Sequence, residues 1–213
     1  MRQSRVLIVD DHPIVRRGLK QVLQDEPDYS VVEAGTAREA LKEIKQQTFD
    51  LVVADIDLPG MNGIELLKEI KQQNKDTPVL MLSVYPEDQV AVRVLRAGAS
   101  GFLSKETAPE QLVVAIRKIL NGGKHISERV ADLLVMNLGS ANDRSLHEKL
   151  SDREFQILSL FGEGKTVKQI AETLSLSVPT VSTYRARILN KMEMKSTAEL
   201  VRYAIQNRLS NPK

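Results

Sequence analysis

Cysteine is absent from the 213 residues, which removes disulfides, thiolate catalysis and cysteine-ligated zinc from consideration. Histidine is scarce, with three residues at positions 12, 125 and 147, too few and too scattered for a typical histidine metal cluster. No apolar run approaches the roughly 18 residues that a membrane span requires. The N-terminus MRQSRVLIVDD passes directly into a strand-like pattern with no signal peptide in view, so a cytoplasmic protein without a membrane partner is expected. Internal repeats and low-complexity stretches are also missing. Neither sign of charge dominates, but the net +2 conceals an asymmetry: residues 147–213 hold 11 basic and 7 acidic side chains, so the tail is net +4 and the rest of the chain net −2. A basic tail is compatible with nucleic acid and equally with an ordinary solvated surface. What is present, 42% hydrophobic and 27% charged residues, is ordinary globular composition. The length allows one large domain or two small ones, each with its own core.

Apolar, β-rich runs at 5–9, 29–34, 50–54, 78–82 and 101–104 alternate with amphipathic segments near 13–25, 36–46, 63–73, 87–97 and 109–121. Several runs are continuously apolar, as in strands covered on both faces. Five such units predict a doubly wound α/β domain on a five-stranded parallel sheet, with ligands expected outside the carboxyl ends of the strands. The pattern then changes. Residues 127–138 read as one more helix with Ser127 as its N-cap, and GSANDRS at 139–145 reads as a linker. From Ser151 onward only helical patterns occur, opened by a capping box of Ser151 and Glu154. The expected organisation is an α/β domain over 1–122, a helix and linker over 123–148, and an all-α domain over 149–213.

Two adjacent carboxylates, Asp10 and Asp11, close the first strand run in VLIVDDH. Asp55 closes the third in DLVVADIDLPGMNG, Ser83 the fourth in VLMLS and Lys105 the fifth in GFLSK. Parallel strands carry all of these ends to one edge of the sheet. Like charges so placed become tolerable around a hard divalent cation, and Mg²⁺ commonly uses one or two carboxylates together with phosphate oxygens. A carboxylate can also attack a phosphoryl group to form an aspartyl phosphate. Singly, each of these residues is as readily a loop start or a helix cap; the set on separate strand ends points to one cleft.

These motifs, with AGASGFLSK, resemble the receiver domain of bacterial two-component response regulators over about residues 4–122. The resemblance implies Asp55 as phosphoacceptor, Asp11 as a direct Mg²⁺ ligand, Asp10 as a ligand through water, and the Asp57 backbone carbonyl as a further ligand beside Asp55 itself. It implies that Ser83 and Lys105 contact phosphoryl oxygens and that Phe102 is a switch aromatic that packs inward when the hydroxyl moves. Phe102 reads equally as plain core packing. The resemblance also implies that Tyr85, two residues after Ser83, flanks the path of a hydrolytic water, where its ring either crowds that water or points to solvent.

In the tail, KTVKQIAETLSLSVPTVSTYRARILNKM reads as two helices joined at LSLS, with Pro179 in the first turn of the second. Ile170, Ala171, Leu174, Val181, Ile188 and Leu189 form the apolar set that would lock the pair together. Such a pair places its second helix, expected at 178–192, in the DNA major groove. KLSDREFQIL, this helix pair and TAELVRYAI resemble the DNA-binding domain of LuxR- and NarL-type regulators over 149–209. The positions implied for DNA are Thr180, Ser182, Thr183, Arg185, Ala186, Arg187, Lys191 and Lys195. Tyr184 stands where the family often has His, and Ala186 where basic residues can occur. The small side chains leave more of the affinity to phosphate contacts.

Together the two resemblances imply the NarL/FixJ subfamily: a transcription factor phosphorylated by a sensor histidine kinase, bound to promoter DNA, and paired as a homodimer on DNA through 197–209. Its receiver would support only its own Mg²⁺-dependent phosphorylation and dephosphorylation. The alternatives are a phosphorylation-independent DNA binder with a degenerate receiver, a phosphatase-type hydrolase with an aspartyl-phosphate intermediate, and a regulator whose output is protein interaction.

Overall fold

The computed structural model describes residues 3–139 and 145–210; segment 140–144, most of the expected linker, lies outside the described residues. The chain divides into two compact units, Met1–Asp132 and Leu133–Lys213.

The first unit alternates strand and helix: β1 (Ser4–Val9), α1 (Pro13–Gln24), β2 (Tyr29–Ala34), α2 (Ala37–Gln46), β3 (Leu51–Asp55), α3 (Gly63–Gln73), β4 (Val79–Ser83), α4 (Glu87–Arg96), β5 (Gly101–Ser104) and α5 (Ala108–Leu120). All strand pairs are parallel, in the order β2-β1-β3-β4-β5. Every residue of β3 and β4 is buried, which accounts for their unbroken apolar runs. Both strands run one residue beyond the expected ends, so Asp55 and Ser83 are the last strand residues and share the rigidity of the sheet. The strand order reverses between β1 and β3, and their register sets Val9 beside Ala54, so Asp10 and Asp55 emerge side by side at the switch point.

The β5 edge of the sheet is covered by the chain that follows α5. His125 forms a parallel bridge with Gly101; the Phe102 N–H donates to the His125 carbonyl at 3.0 Å, and the His125 N–H donates to the Ser100 carbonyl at 3.1 Å. A Cβ on Gly101 would stand 2.8 Å from the His125 oxygen, so glycine permits this approach. Helix α6 (Glu128–Gly139) follows, and the Ser127 hydroxyl accepts from the Val130 N–H at 3.2 Å as the sequence leads one to expect. The same hydroxyl donates to Glu87 Oε1, 2.7 Å away at the start of α4.

The second unit begins within α6, and after it come a 3₁₀ turn (Leu146–Lys149), α7 (Asp152–Gly162), α8 (Val167–Thr173), α9 (Val178–Lys191) and α10 (Thr197–Gln206). Nine consecutive residues of α7, Arg153 to Phe161, are buried, so this helix is the centre of the bundle. The expected capping box at Ser151 and Glu154 is present. A Cβ on Gly162 would lie 2.7 Å from the Ala204 Cβ, which marks the close approach of α7 and α10. Between α8 and α9, Ser175 adopts φ +53 and the Leu176 N–H reaches back to the Ala171 carbonyl at 2.8 Å, closing the short turn. Ser177 then caps α9, with Pro179 in its first turn.

Candidate functional site

The strand ends converge as the sequence pattern demands. The Lys105 ammonium sits between two carboxylates, 2.7 Å from Asp10 Oδ2 and 2.7 Å from Asp55 Oδ2. Asp10 and Asp55 are almost wholly buried, at 0% and 1% exposure. Burial drives the Asp55 carboxyl up to about 7; the Lys105 charge opposes the rise, and the charges of Asp57 and Asp10 reinforce it. For Lys105 burial would lower the ammonium, but the charges of Asp55 and Asp10 and the hydrogen bonds to both outweigh it and hold the group above its usual range. The Lys105 N–H donates to the Ser83 carbonyl at 2.8 Å, which ties the end of β5 to the end of β4. Lys105 alone does not balance the carboxylates of Asp10, Asp11 and Asp55.

Asp55 Oδ1 is buried and accepts no hydrogen bond among the described residues. A buried carboxylate oxygen left open in this way fits an incoming cation or electrophile. Ligand atoms of Asp10, Asp11, His12 and Asp55 lie within 4.8 Å of one another, a donor set able to hold a metal ion. His12 was not among the expected ligands. Its position directly after the DD pair was the signal, and the scarcity of histidine obscured it. Arg16, Gly63 and Asn62 also contribute, and none of them stands out in the sequence. Arg16 Nη1 donates to the Asp10 carbonyl at 2.6 Å, which fixes the strand end. Gly63 packs so closely under the loop after β3 that a Cβ there would overlap the Asp55 carbonyl oxygen. The buried Asn62 caps α3 in a reciprocal pair with Glu65, anchoring the other end of that loop. Asp57 is half-buried on the loop itself.

Ser83 is fully buried, and its hydroxyl accepts from the Tyr85 N–H at 2.9 Å. Tyr85 and Phe102 are each 4% exposed. Of the two orientations left open for Tyr85, the one toward solvent is therefore excluded.

In the second unit α9 presents two faces. Val181 and Ile188 are fully buried with Ile170, Ala171 and Leu174 close to it, while Leu189 is only half-buried. On the other side Thr183, Ala186, Arg187 and Lys191 are exposed, Thr180, Ser182 and Arg185 are partly so, and Lys195 is exposed in the connection between α9 and α10. Thr183 donates its hydroxyl to the Pro179 carbonyl at 3.0 Å, which leaves its oxygen free only to accept. The Arg187 guanidinium lies 5.9 Å from the Tyr184 ring centroid. Lys191 differs from the other cations of this face, since it pairs with Glu154 of α7 at 2.6 Å.

Residues 6–117 match the response regulator receiver domain, and residues 148–204 match the bacterial regulatory proteins of the luxR family. The Escherichia coli K12 response regulator UvrY is 35% identical over 208 residues, covering 97% of this chain and 95% of UvrY. This chain is a response regulator. LiaR, a transcriptional regulatory protein of Bacillus subtilis, is 34% identical over 97% of the regulator and 99% of its own length. Among solved structures, RcsB of Salmonella typhimurium superposes with a TM-score of 0.69 at 25% identity, covering 97% of this chain and 98% of that one. RcsB bound to the promoter rprA in the presence of the phosphomimetic BeF₃⁻ gives 0.64 at 27% identity, covering 94% and 98%. The regulator therefore pairs a receiver with a LuxR-type DNA-binding domain, the NarL/FixJ architecture, and acts as a phosphorylation-activated transcriptional regulator. The hydrolase reading falls, because the relatives along the whole chain are regulators and not an enzyme family. Among the described residues no helix is long and apolar enough to cross a membrane.

Proposed function

We propose that the regulator accepts a phosphoryl group from a sensor histidine kinase on Asp55, in a cleft where Asp10, Asp11, Asp55 and the Asp57 carbonyl hold Mg²⁺. The observation that carries this reading is the unpartnered Oδ1 of a buried Asp55 whose other oxygen is held by Lys105. Bound Mg²⁺ supplies charge neutralisation to the phosphoryl oxygens. Asp55 provides the nucleophilic oxygen, and Lys105 holds that carboxylate in place and meets the incoming oxygens with a cation. Ser83 offers its hydroxyl to a phosphoryl oxygen. That movement withdraws it from the Tyr85 N–H and disturbs the packing beside Phe102, the switch aromatic. The receiver supports its own phosphorylation and dephosphorylation and turns over no other substrate.

The output is α9 in the major groove of promoter DNA. Arg185, Arg187 and Lys195 contact phosphates, Thr180, Ser182, Thr183 and Ala186 approach base edges, and Lys191 lies at the rim. Protomers pair on DNA through 197–209, where Ile205 is 57% exposed. We assign the receiver to 1–122, the connecting segment to 123–148 and the DNA-binding domain to 149–213, in a cytoplasmic protein. DNA selection with the full chain, with and without beryllofluoride and Mg²⁺, tests the assignment. Tighter binding of a selected sequence with the phosphoryl mimic is expected. Identical selection and affinity without it would instead establish a phosphorylation-independent binder.

A further inference from the structure

We propose that His12 is a nitrogen ligand that allows the Asp10–Asp11–Asp55 cleft to hold a first-row transition metal ion, an inference that rests on reading the cleft as a divalent-cation site. Its Nδ1 lies 2.7 Å from Asp11 Oδ1 and 3.3 Å from Asp10 Oδ1. Two ligands at about 2.1 Å from one ion and at right angles to each other stand roughly 3 Å apart, so these spacings suit a shared ion. The backbone supports the placement. The His12 N–H donates to Asp10 Oδ1 at 2.8 Å, and Pro13 follows at the start of α1. His12 occupies the N-cap of α1, yet its side chain makes no capping hydrogen bond and turns to the carboxylates instead. The open Oδ1 of Asp55 is an independent sign that the cluster is incomplete without a ligand.

The chemistry of the donors decides which ions benefit. Mg²⁺ selects oxygen and gains little from an imidazole. Mn²⁺, Co²⁺, Ni²⁺ and Zn²⁺ accept imidazole nitrogen readily, with affinity rising along that series as far as Ni²⁺. At 64% side-chain exposure the His12 ring is open to solvent on its outer side, so an ion can enter without opening the fold. A transition metal so held uses the same carboxylates as Mg²⁺ and competes with it for the phosphorylation cleft.

The test uses the full chain and two readouts that do not depend on phosphorylation. Pulsed electron paramagnetic resonance of bound Mn²⁺ reports whether a nitrogen is coordinated, and calorimetry gives the affinities of Mg²⁺, Mn²⁺ and Ni²⁺. Wild type should show imidazole coupling that is lost in His12→Ala and retained in His125→Ala and His147→Ala. Ni²⁺ affinity should fall about tenfold or more in His12→Ala, while Mg²⁺ affinity stays within about twofold. Asp11→Ala should weaken all three ions. No nitrogen coupling in wild type, or coupling that survives in His12→Ala, would overturn the proposal while leaving Mg²⁺ binding to be judged by its own titration. Coupling to His12 in a protein that fails to bind Mg²⁺ would uphold the proposal and remove the Mg²⁺ reading.

Discussion

Lys191, on the outward side of α9, lies 2.6 Å from Oε2 of Glu154, a carboxylate buried at the start of α7. The same oxygen accepts from the Ser151 N–H at 2.8 Å, so Lys191 helps to complete a capping box as well as to join two helices. Burial pushes the Glu154 carboxyl up, but the hydrogen bonds from Lys191 and Ser151 and the Lys191 charge prevail and hold it below its usual 4.5. A depressed carboxyl contributes stability above its unfolded value and loses it as the pH falls through the folded one. Lys191→Met should therefore destabilise the DNA-binding unit by about 2 kcal/mol at neutral pH. Denaturant midpoints of the two proteins should converge on acidification below about 4.5. A gap that persists at low pH would mean the pair is not its source.

Arg187 makes the contrasting case. It is exposed and rests near Tyr184, so Arg187→Ala should leave stability within about 0.5 kcal/mol. Its effect belongs on DNA: weaker binding across sequences and a salt slope reduced by about 1. A change of sequence preference at constant slope would show that Arg187 reads a base. A loss on DNA in Lys191→Met has to be corrected for the unfolded fraction first.

Three glycines should respond differently to alanine. Gly18 lies in α1 with nothing within 4 Å of where a methyl would stand, so Gly18→Ala should stabilise the receiver by roughly 0.5–1 kcal/mol. Gly63→Ala drives a methyl into the Asp55 carbonyl and should destabilise by about 3 kcal/mol or more, because backbone must move. Gly101→Ala should displace the His125 strap and speed hydrogen exchange at the Phe102 amide, whose partner is the His125 carbonyl. Unchanged exchange there would place the strap elsewhere in solution.

Tyr85 should lengthen the life of the phosphorylated state. It is buried two residues after Ser83, and Asp57 stands two after Asp55; the receiver resemblance implies that these two positions flank the approach of a hydrolytic water. Hydrolysis needs that water opposite the Asp55 oxygen at attack distance. Decay of phospho-Asp55 should be about tenfold faster in Tyr85→Ala, a barrier change of about 1.4 kcal/mol. Equal or slower decay would remove the crowding argument.

Much of this architecture is legible in the chain. Continuous apolar runs that stop at Asp10, Asp55, Ser83 and Lys105 encode strands buried on both faces, and parallel topology alone brings their ends together. The capping box at Ser151 and Glu154 and the turn before Pro179 are local signals that need no tertiary information. Contacts across distance are another matter. The partner of Lys191 lies 37 residues away, and no periodicity records it. Nor does pattern reveal that His12 turns its ring to Asp11, that Gly63 and Gly101 are fixed by backbone crowding, or that the Tyr85 ring points inward. Burial is written in the spacing of apolar residues; pairing across the fold is written only in three dimensions.

The most direct measurement is intact-mass analysis of the full chain after incubation with acetyl phosphate and Mg²⁺, for wild type, Asp55→Asn and Asp11→Ala. The strand ends, Lys105 and the open Asp55 oxygen predict one phosphoryl group in wild type, none in Asp55→Asn, and slowed labelling that needs more Mg²⁺ in Asp11→Ala. Folding of Asp55→Asn is checked in the same sample, and loss of a negative charge from the crowded cluster should leave it at least as stable as wild type without metal. Labelling of Asp55→Asn to the wild-type extent would contradict the assignment of the phosphoryl site to Asp55.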